Sequence, residues 1–325
     1  MSRARVIAVE EAREIDWQEA ARRCPNSTFF HTPAWARVWA QYCGEGVSAT
    51  AVKVRFEDGV EALLPAARKS VLGGALYRYA SSAGAEYGDW ISETTLKPEH
   101  SIALHDLLKR VPITLRQNPF EDRYAHSDIA WSAKAFTQAI DLRNGFDRVM
   151  HGWSASHRRS LRQAGRNNLC CEVAASRSTW AEYFELYRAA VTAWGEAAQT
   201  NHDRRLFEML QELPAGTTKL WTVRRQGVLL AGAICFYHGQ HAVYWSGATV
   251  PSARALRPVH YLFHDALSDA CNRGIRWFDF GSSGGIEGLV RFKSGFGCQN
   301  YEANLFRRRG FTSRLADRLR ATQIR

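Results

Sequence analysis

No apolar run in this sequence approaches the length needed to cross a bilayer, so no membrane span is predicted. The opening stretch MSRARVIAVEEAREIDW carries charges where a secretory signal needs its apolar segment, and the chain is expected in the cytoplasm. Cysteine is sparse and unpatterned. The seven, Cys24, Cys43, Cys170, Cys171, Cys235, Cys271 and Cys298, are odd in number and include no C-x-x-C, which argues against a disulfide framework and a zinc site. The eleven histidines form no H-E-x-x-H, and no metal is expected. Neither a Ser-His-Asp order nor a reactive-cysteine signature is found. No low-complexity linker is present either, which leads us to expect two halves that pack together with a cleft between them.

What the chain does contain is core-forming material: of 325 residues, 46% are hydrophobic and 12% aromatic, enough for a folded protein of two domains. The formal net charge of +11 favours polyanionic partners, whether nucleic acid, an anionic lipid surface or a phosphorylated small molecule. Basic residues concentrate in two places. In the stretch 157–166 (HRRSLRQAGR), Arg158, Arg162 and Arg166 recur at four-residue spacing, which on a helix makes one face and a phosphate track. The competing reading is a solvated helix face. The second place is the tail from Phe306, with Arg307, Arg308, Arg309, Arg314, Arg318, Arg320 and Arg325.

Hydrophobic periodicity predicts helices at 17–24 and 33–43, the latter from Trp35, Val38, Trp39 and Tyr42 at helical spacing behind Pro33. Strands at 49–56 and 60–68, joined through Asp58-Gly59, and a third at 76–81 form a meander, followed by a helix at 99–110 and strands at 113–117 and 136–142. The order then recurs. Helices at 180–194 and 204–212 precede strands at 219–224, 228–237 and 241–247, then a helix whose apolar face is Val259, Leu262, Phe263, Ala266, Leu267 and Ala270, then strands at 275–280 and about 301–306. Such a repeat implies duplication of one α+β module, with domains at 1–145 and 146–325.

The stretch around which the rest is organised is 275–297, IRWFDFGSSGGIEGLVRFKSGFG. A short buried strand ends at Asp279, and Gly281-Ser282-Ser283-Gly284-Gly285 follows, with no side chain large enough to block a ligand. Lys293 is then expected in a glycine-flanked loop beside two aromatics, where a partly desolvated ammonium meets phosphate or a developing oxyanion; a solvated basic loop is the bland alternative.

With these motifs in hand, the chain resembles the FemABX family, aminoacyl-tRNA-dependent peptidyl transferases built from two GNAT-like domains, in a compact form without the helical arm. The resemblance spans nearly the whole chain. It rests on Phe29-Phe30-His31-Thr32-Pro33-Ala34-Trp35, the basic helix around Arg158 and Arg162, Tyr244-Trp245-Ser246-Gly247-Ala248, Phe278-Asp279-Phe280-Gly281, Glu287-Gly288 and Arg291-Phe292-Lys293-Ser294-Gly295-Phe296-Gly297. The fold it implies is α+β, two tandem GNAT-like domains of mixed sheets flanked by helices. The activity it implies is aminoacyl transfer to an amine, on a cell-wall precursor or a small natural product, with aminoacyl-tRNA as donor and no cofactor.

Ordinary GNAT enzymes hold the pyrophosphate of acyl-CoA on a glycine-rich turn before the helix that follows the meander. The matching stretch here, Arg254-Ala255-Leu256-Arg257-Pro258-Val259-His260, has no glycine, and Pro258 removes a donor. We therefore expect tRNA rather than CoA, with an acyl-CoA-dependent N-acyltransferase and a catalytically silent RNA-binding module as the other readings. The resemblance assigns Lys293 to stabilising the oxyanion or the leaving ribose oxygen. Asp89 is a candidate for handling the amine, and Asp279 for a second carboxylate, although either aspartate equally caps its own turn. Arg158, Arg162, Arg166, Arg291 and Phe292 are the expected tRNA contacts. Trp35, Tyr87, Tyr244, Trp245, Ser282, Ser283 and Glu287 are the expected substrate contacts. His31 is a weaker candidate.

Overall fold

A computed structural model describes residues 3–71, 74–81, 83–121, 130–195 and 200–309. The expected basic residues Arg314, Arg318, Arg320 and Arg325 lie outside the described residues. The chain opens on a strand that the periodicity reading omitted, β1 (Val6–Glu11), in which half-buried Val6 and Ala8 alternate with exposed Ile7 and Val9. Helices α1 (Glu14–Arg23) and α2 (Pro33–Cys43), strands β2 (Val47–Phe56), β3 (Glu61–Val71) and β4 (Leu76–Ser81), helix α3 (Pro98–Leu108) and strand β5 (Ile113–Arg116) follow. Sequence explains the sharp start of α2: the Thr32 hydroxyl accepts the Trp35 N–H at 3.3 Å, and Pro33 occupies the first turn, where its missing donor costs nothing.

The later elements are β6 (Phe136–Asp141), α4 (Gly145–Gly152), α5 (Ala155–Ala164), β7 (Cys170–Val173), α6 (Arg177–Trp194), α7 (Arg204–Gln211), β8 (Thr218–Arg225), β9 (Val228–His238), β10 (His241–Thr249), α8 (Pro258–Asn272), β11 (Trp277–Asp279), α9 (Glu287–Ser294), β12 (Gln299–Glu302) and β13 (Leu305–Arg308). They form two sheets. One has the order β1-β2-β3-β4-β5-β13 and the other β12-β6-β11-β10-β9-β8-β7.

In each sheet an antiparallel meander ends in a strand that pairs parallel with the next one, after a helix: β4 with β5 and β10 with β11. The closing strands are exchanged. β6 follows the first set of elements in sequence yet pairs antiparallel with β11, whereas β13 follows the second set and pairs antiparallel with β5. Strand pairing therefore redraws the expected division at 1–145 and 146–325: one unit runs to Phe136 and resumes at Glu302, and the other is Thr137–Tyr301. Hydrophobic pattern locates a strand but does not name its partner, which is why the exchange was invisible in the sequence.

Each unit has its own core. In the first, Val54, Phe56, Leu64, Trp90, Leu104 and Leu115 cluster. In the second, the predicted face of α8 delivers Leu262, Phe263, Ala266, Leu267 and Ala270 into a cluster with Phe278, Phe280 and Phe296. Truncating Phe263 to alanine there removes about 3–5 kcal/mol. All seven cysteines are free. Among the described residues no helix is long and apolar enough to cross a membrane, and no group of three histidine, cysteine or acidic side chains is placed to hold a metal.

Candidate functional site

The second unit's sheet opens where the parallel pairing stops. β10 and β11 pair only from His241 with Trp277 to Val243 with Asp279. Beyond that, β10 shifts register against β9 between Tyr244 and Ser246, and β11 ends. A bulge re-aims the strand and leaves the next backbone groups without that partner. The glycine turn begins there, with Gly281 at φ +73°, a conformation natural to glycine.

Asp279 is fully buried at the start of this turn, and its Oδ1 accepts both the Thr137 hydroxyl at 2.6 Å and the Gly281 N–H at 2.8 Å. It caps its own turn, the alternative that its position at a strand end allowed. Ser283 is buried and donates to Gln138 Oε1 at 2.7 Å, while exposed Ser282 accepts the Gly284 N–H at 3.2 Å.

Lys293 is not in a loop. Residues Glu287–Ser294 form α9, with Glu287 in the first turn and Arg291 and Lys293 in the last, the charge order a helix dipole favours. The glycines that suggested a loop flank this helix or begin it, and a helix of eight residues is easily hidden between them. Only 6% of Lys293 is exposed, and its ammonium donates to the carbonyls of Gly281 and Ser282, each at 2.9 Å. The charge thus lies under the turn and is held by two backbone oxygens. Glu287 and Arg291 point away into solvent and pair with each other at 3.9 Å. Phe292 is half-buried and packs on His157, His260 and Phe296 at ring separations of 5.4, 5.8 and 5.1 Å.

Two histidines meet beside Phe292 at the starts of two helices. His157 lies in the first turn of α5, capped by Ser154, and its Nε2 donates to the Phe292 carbonyl at 3.0 Å. His260 lies in the first turn of α8, edge-on to His157 at 4.7 Å, and its buried Nδ1 has no hydrogen-bond partner among the described residues. Burial, then His157 and Arg257, lower the His260 pKa to about 4, so the ring is neutral at pH 7.

The start of α8 carries no glycine. Arg257 caps the helix with φ +63°, a left-handed conformation that would suit glycine, and Pro258 takes the first helical position. The preceding turn is pinned to α5: Gln163 donates to the Ala255 carbonyl at 3.0 Å, Arg257 donates to Gln163 Oε1 at 3.3 Å, and Asn167 donates to the Leu256 carbonyl at 3.1 Å. This junction gathers the exposed Arg162, Arg166, Arg254 and Arg257, none with a carboxylate partner among the described residues.

The three expected arginines separate. Arg158 is half-buried and donates to the Trp153 carbonyl, and to that of His151 at 3.1 Å, closing the C-terminal end of α4. Arg162 is exposed on α5, and Arg166 lies in the turn just past the helix end. Sequence reading missed Arg254 and Arg257 as partners of this patch because they lie about ninety positions later. Their density beside Pro258 was the available signal.

In the first unit, Trp35 is completely buried and donates its indole N–H to the Ala83 carbonyl at 3.0 Å, and Tyr87 packs edge-on to Phe30 at 5.8 Å. These rings build the core rather than line a surface. Asp89 is also fully buried, at φ +91°, and its Oδ1 accepts the Trp90 N–H at 2.7 Å. His31 receives the Thr28 N–H on Nδ1 at 3.0 Å, which puts its own proton on Nε2, donated to the Gly88 carbonyl at 2.7 Å. It braces the same turn. In the second unit, Tyr244 lies against Phe263 at 5.1 Å, and Trp245, at the bulge, stacks on His202 at 5.4 Å.

Comparison with known proteins agrees with this architecture. Residues 153–294 match the Acetyltransferase (GNAT) domain family. FemX has the same fold, with a TM-score of 0.68 at 14% identity over 91% of this chain and 96% of that one. The C-terminal domain of a putative lysylphosphatidylglycerol synthetase from Agrobacterium fabrum has a TM-score of 0.54 at 15% identity, covering 92% and 94%. L-PGS from Bacillus licheniformis has 0.51 at 14%, covering 88% and 90%. No curated protein matches the chain. The α+β class and the two tandem GNAT-like domains stand, and the resemblance to FemX holds at the level of fold.

Proposed function

We propose that this protein is an acyltransferase that takes its acyl group from an aminoacyl-tRNA and passes it to an amine. The observation that carries the reading is the start of α8, where Arg257 and Pro258 occupy the place at which an acyl-CoA enzyme presents free glycine amides. Anion binding at this junction then falls to arginine side chains, which suit the spaced phosphates of an RNA strand. The fold shared with FemX supports acyl transfer as the reaction class.

The chemistry is aminolysis of an ester that is already activated. The amine nitrogen attacks the ester carbonyl, the carbon–oxygen bond to the terminal ribose breaks, the amide forms, and the proton lost by the amine balances the one gained by the ribose hydroxyl. Positioning and stabilisation of the oxyanion supply the acceleration, with no covalent intermediate. Lys293 is the cation proposed to meet that charge from beneath the glycine turn. Arg162, Arg166, Arg254 and Arg257 hold the RNA backbone.

The second reading is an acyl-CoA-dependent N-acyltransferase, favoured by the GNAT family match over 153–294. The experiment that separates them supplies the protein with tRNA charged with labelled amino acids, then with labelled acetyl-CoA, over a panel of amines. Label should pass to an amine from tRNA only, and ribonuclease should abolish it. Transfer from acetyl-CoA that survives ribonuclease would establish the second reading instead.

A further inference from the structure

Gln138 is a buried polar residue of the second unit that the proposed chemistry does not use. It lies on β6, 1% exposed, and its main-chain oxygen accepts the Phe280 N–H at 2.8 Å, the residue just before the glycine turn. Its side chain makes three further bonds: Oε1 accepts from Ser283 at 2.7 Å, and Nε2 donates to the Val290 carbonyl and to Ser294 Oγ, both at 3.2 Å. A carbonyl only accepts, so the amide can face Val290 in one orientation alone. One side chain therefore ties the middle of the glycine turn to the last turn of α9.

Lys293 makes the same connection from the other side. It sits on α9 next to Ser294 and donates to the carbonyls of Gly281 and Ser282, the two residues before Ser283. The turn and the helix are thus cross-linked twice, through Gln138 and through the ammonium. Filling a β-strand interior needs only an apolar side chain, and burying a primary amide is unfavourable unless its bonds are made. Here both amide donors and the amide oxygen are partnered, and these bonds join the turn to α9.

We infer that Gln138 is a positioning residue, which sets where the Lys293 ammonium lies and so its alignment with the acyl group in transfer. The part concerning transfer rests on the function proposed above; the part concerning the ammonium does not. The test replaces Gln138 with methionine, of similar length but without the amide, and reads three quantities on the full chain. The first is the rate at which an amine-reactive acetylating reagent modifies Lys293, followed by peptide mass spectrometry. The second is amide hydrogen exchange across 281–294. The third is the steady-state kinetics of transfer from charged tRNA.

Gln138→Met should raise the Lys293 modification rate and the local exchange rates by about tenfold, the effect expected when these bonds are removed. It should lower kcat by a similar factor with KM for tRNA unchanged, and add nothing in a Lys293→Ala background. If Gln138→Met does not fold, Ser283→Ala removes one bond of the same tie and should shift the same readouts in the same direction. Unchanged modification of Lys293 in a folded variant, or losses of kcat that simply add to those of Lys293→Ala, would overturn the inference. A wild-type protein that transfers nothing from tRNA would refute the proposed function, while the modification and exchange rates still decide the role of Gln138.

Discussion

Lys293 Nζ lies 2.9 Å from the carbonyl oxygen of Gly281 and, at the same distance, donates to Ser282. Lys293→Ala therefore removes two charge-assisted hydrogen bonds and the packing of a buried side chain, each bond contributing about 1.5–3 kcal/mol at most. We expect a clear drop in the melting temperature by circular dichroism, which a solvated loop lysine would not give. Turnover should fall by on the order of a hundredfold, the size of effect seen when one oxyanion donor is lost. Lys293→Arg should recover stability and turnover only in part, because a planar guanidinium does not occupy the point of a compact ammonium.

The arginines should divide by what they touch. Arg162→Glu and Arg257→Glu should weaken tRNA binding and flatten its dependence on salt, by roughly one unit of log–log slope for each phosphate no longer neutralised. Arg158→Ala should leave that slope unchanged and lower the melting temperature, since its guanidinium closes the end of α4. Filter binding across a salt series, beside thermal melts, distinguishes the two outcomes.

Arg257 also offers a backbone test, because at φ +63° it occupies a conformation that costs an L-residue about 1 kcal/mol or more and costs glycine nothing. Arg257→Gly should melt at or above the wild-type temperature although it loses its bond to Gln163. Its affinity for tRNA should fall. A variant that loses stability and keeps its affinity would make Arg257 a structural cap alone.

Acid should destabilise the second unit through its histidines. Burial, reinforced by His157 and Arg257, holds the folded-state pKa of His260 at about 4, against an ordinary value of 6.5, and burial lowers His157 in the same direction. The unfolded chain therefore binds more protons between those values. The contribution of neutral His260 is fully present above pH 6.5 and is lost as pH falls through the window toward 4. Urea unfolding at pH 7, 6, 5 and 4.5 should show this decline, and His260→Phe should remove part of it.

Much of the fold was legible because it rests on periodicity. The apolar faces of α2 and α8 and the strands of both meanders announce themselves at spacings of 3.6 and 2. Sheet partners did not, so the exchange of β6 and β13 emerged only from pairing. In the candidate site, the motif pointed to the glycine turn and Lys293, but eight residues with a glycine at the second position gave too weak a signal to identify α9. Trp35 and Tyr87, expected as substrate contacts, are buried, and an aromatic at helical or turn spacing reads alike whether it meets ligand or core. Gln138 was missed because nothing in Phe136-Thr137-Gln138-Ala139-Ile140-Asp141 says what a buried amide binds.

Whether the glycine-free start of α8 serves RNA rather than CoA is decided by equilibrium binding. Isothermal titration of the purified protein with acetyl-CoA and, separately, with aminoacyl-tRNA carrying a non-hydrolysable amide linkage measures both donors under one set of conditions. Saturable binding of the tRNA, weakened in Arg257→Glu, is expected, with no heat of binding from acetyl-CoA. Stoichiometric binding of acetyl-CoA, with none for the tRNA, would contradict it.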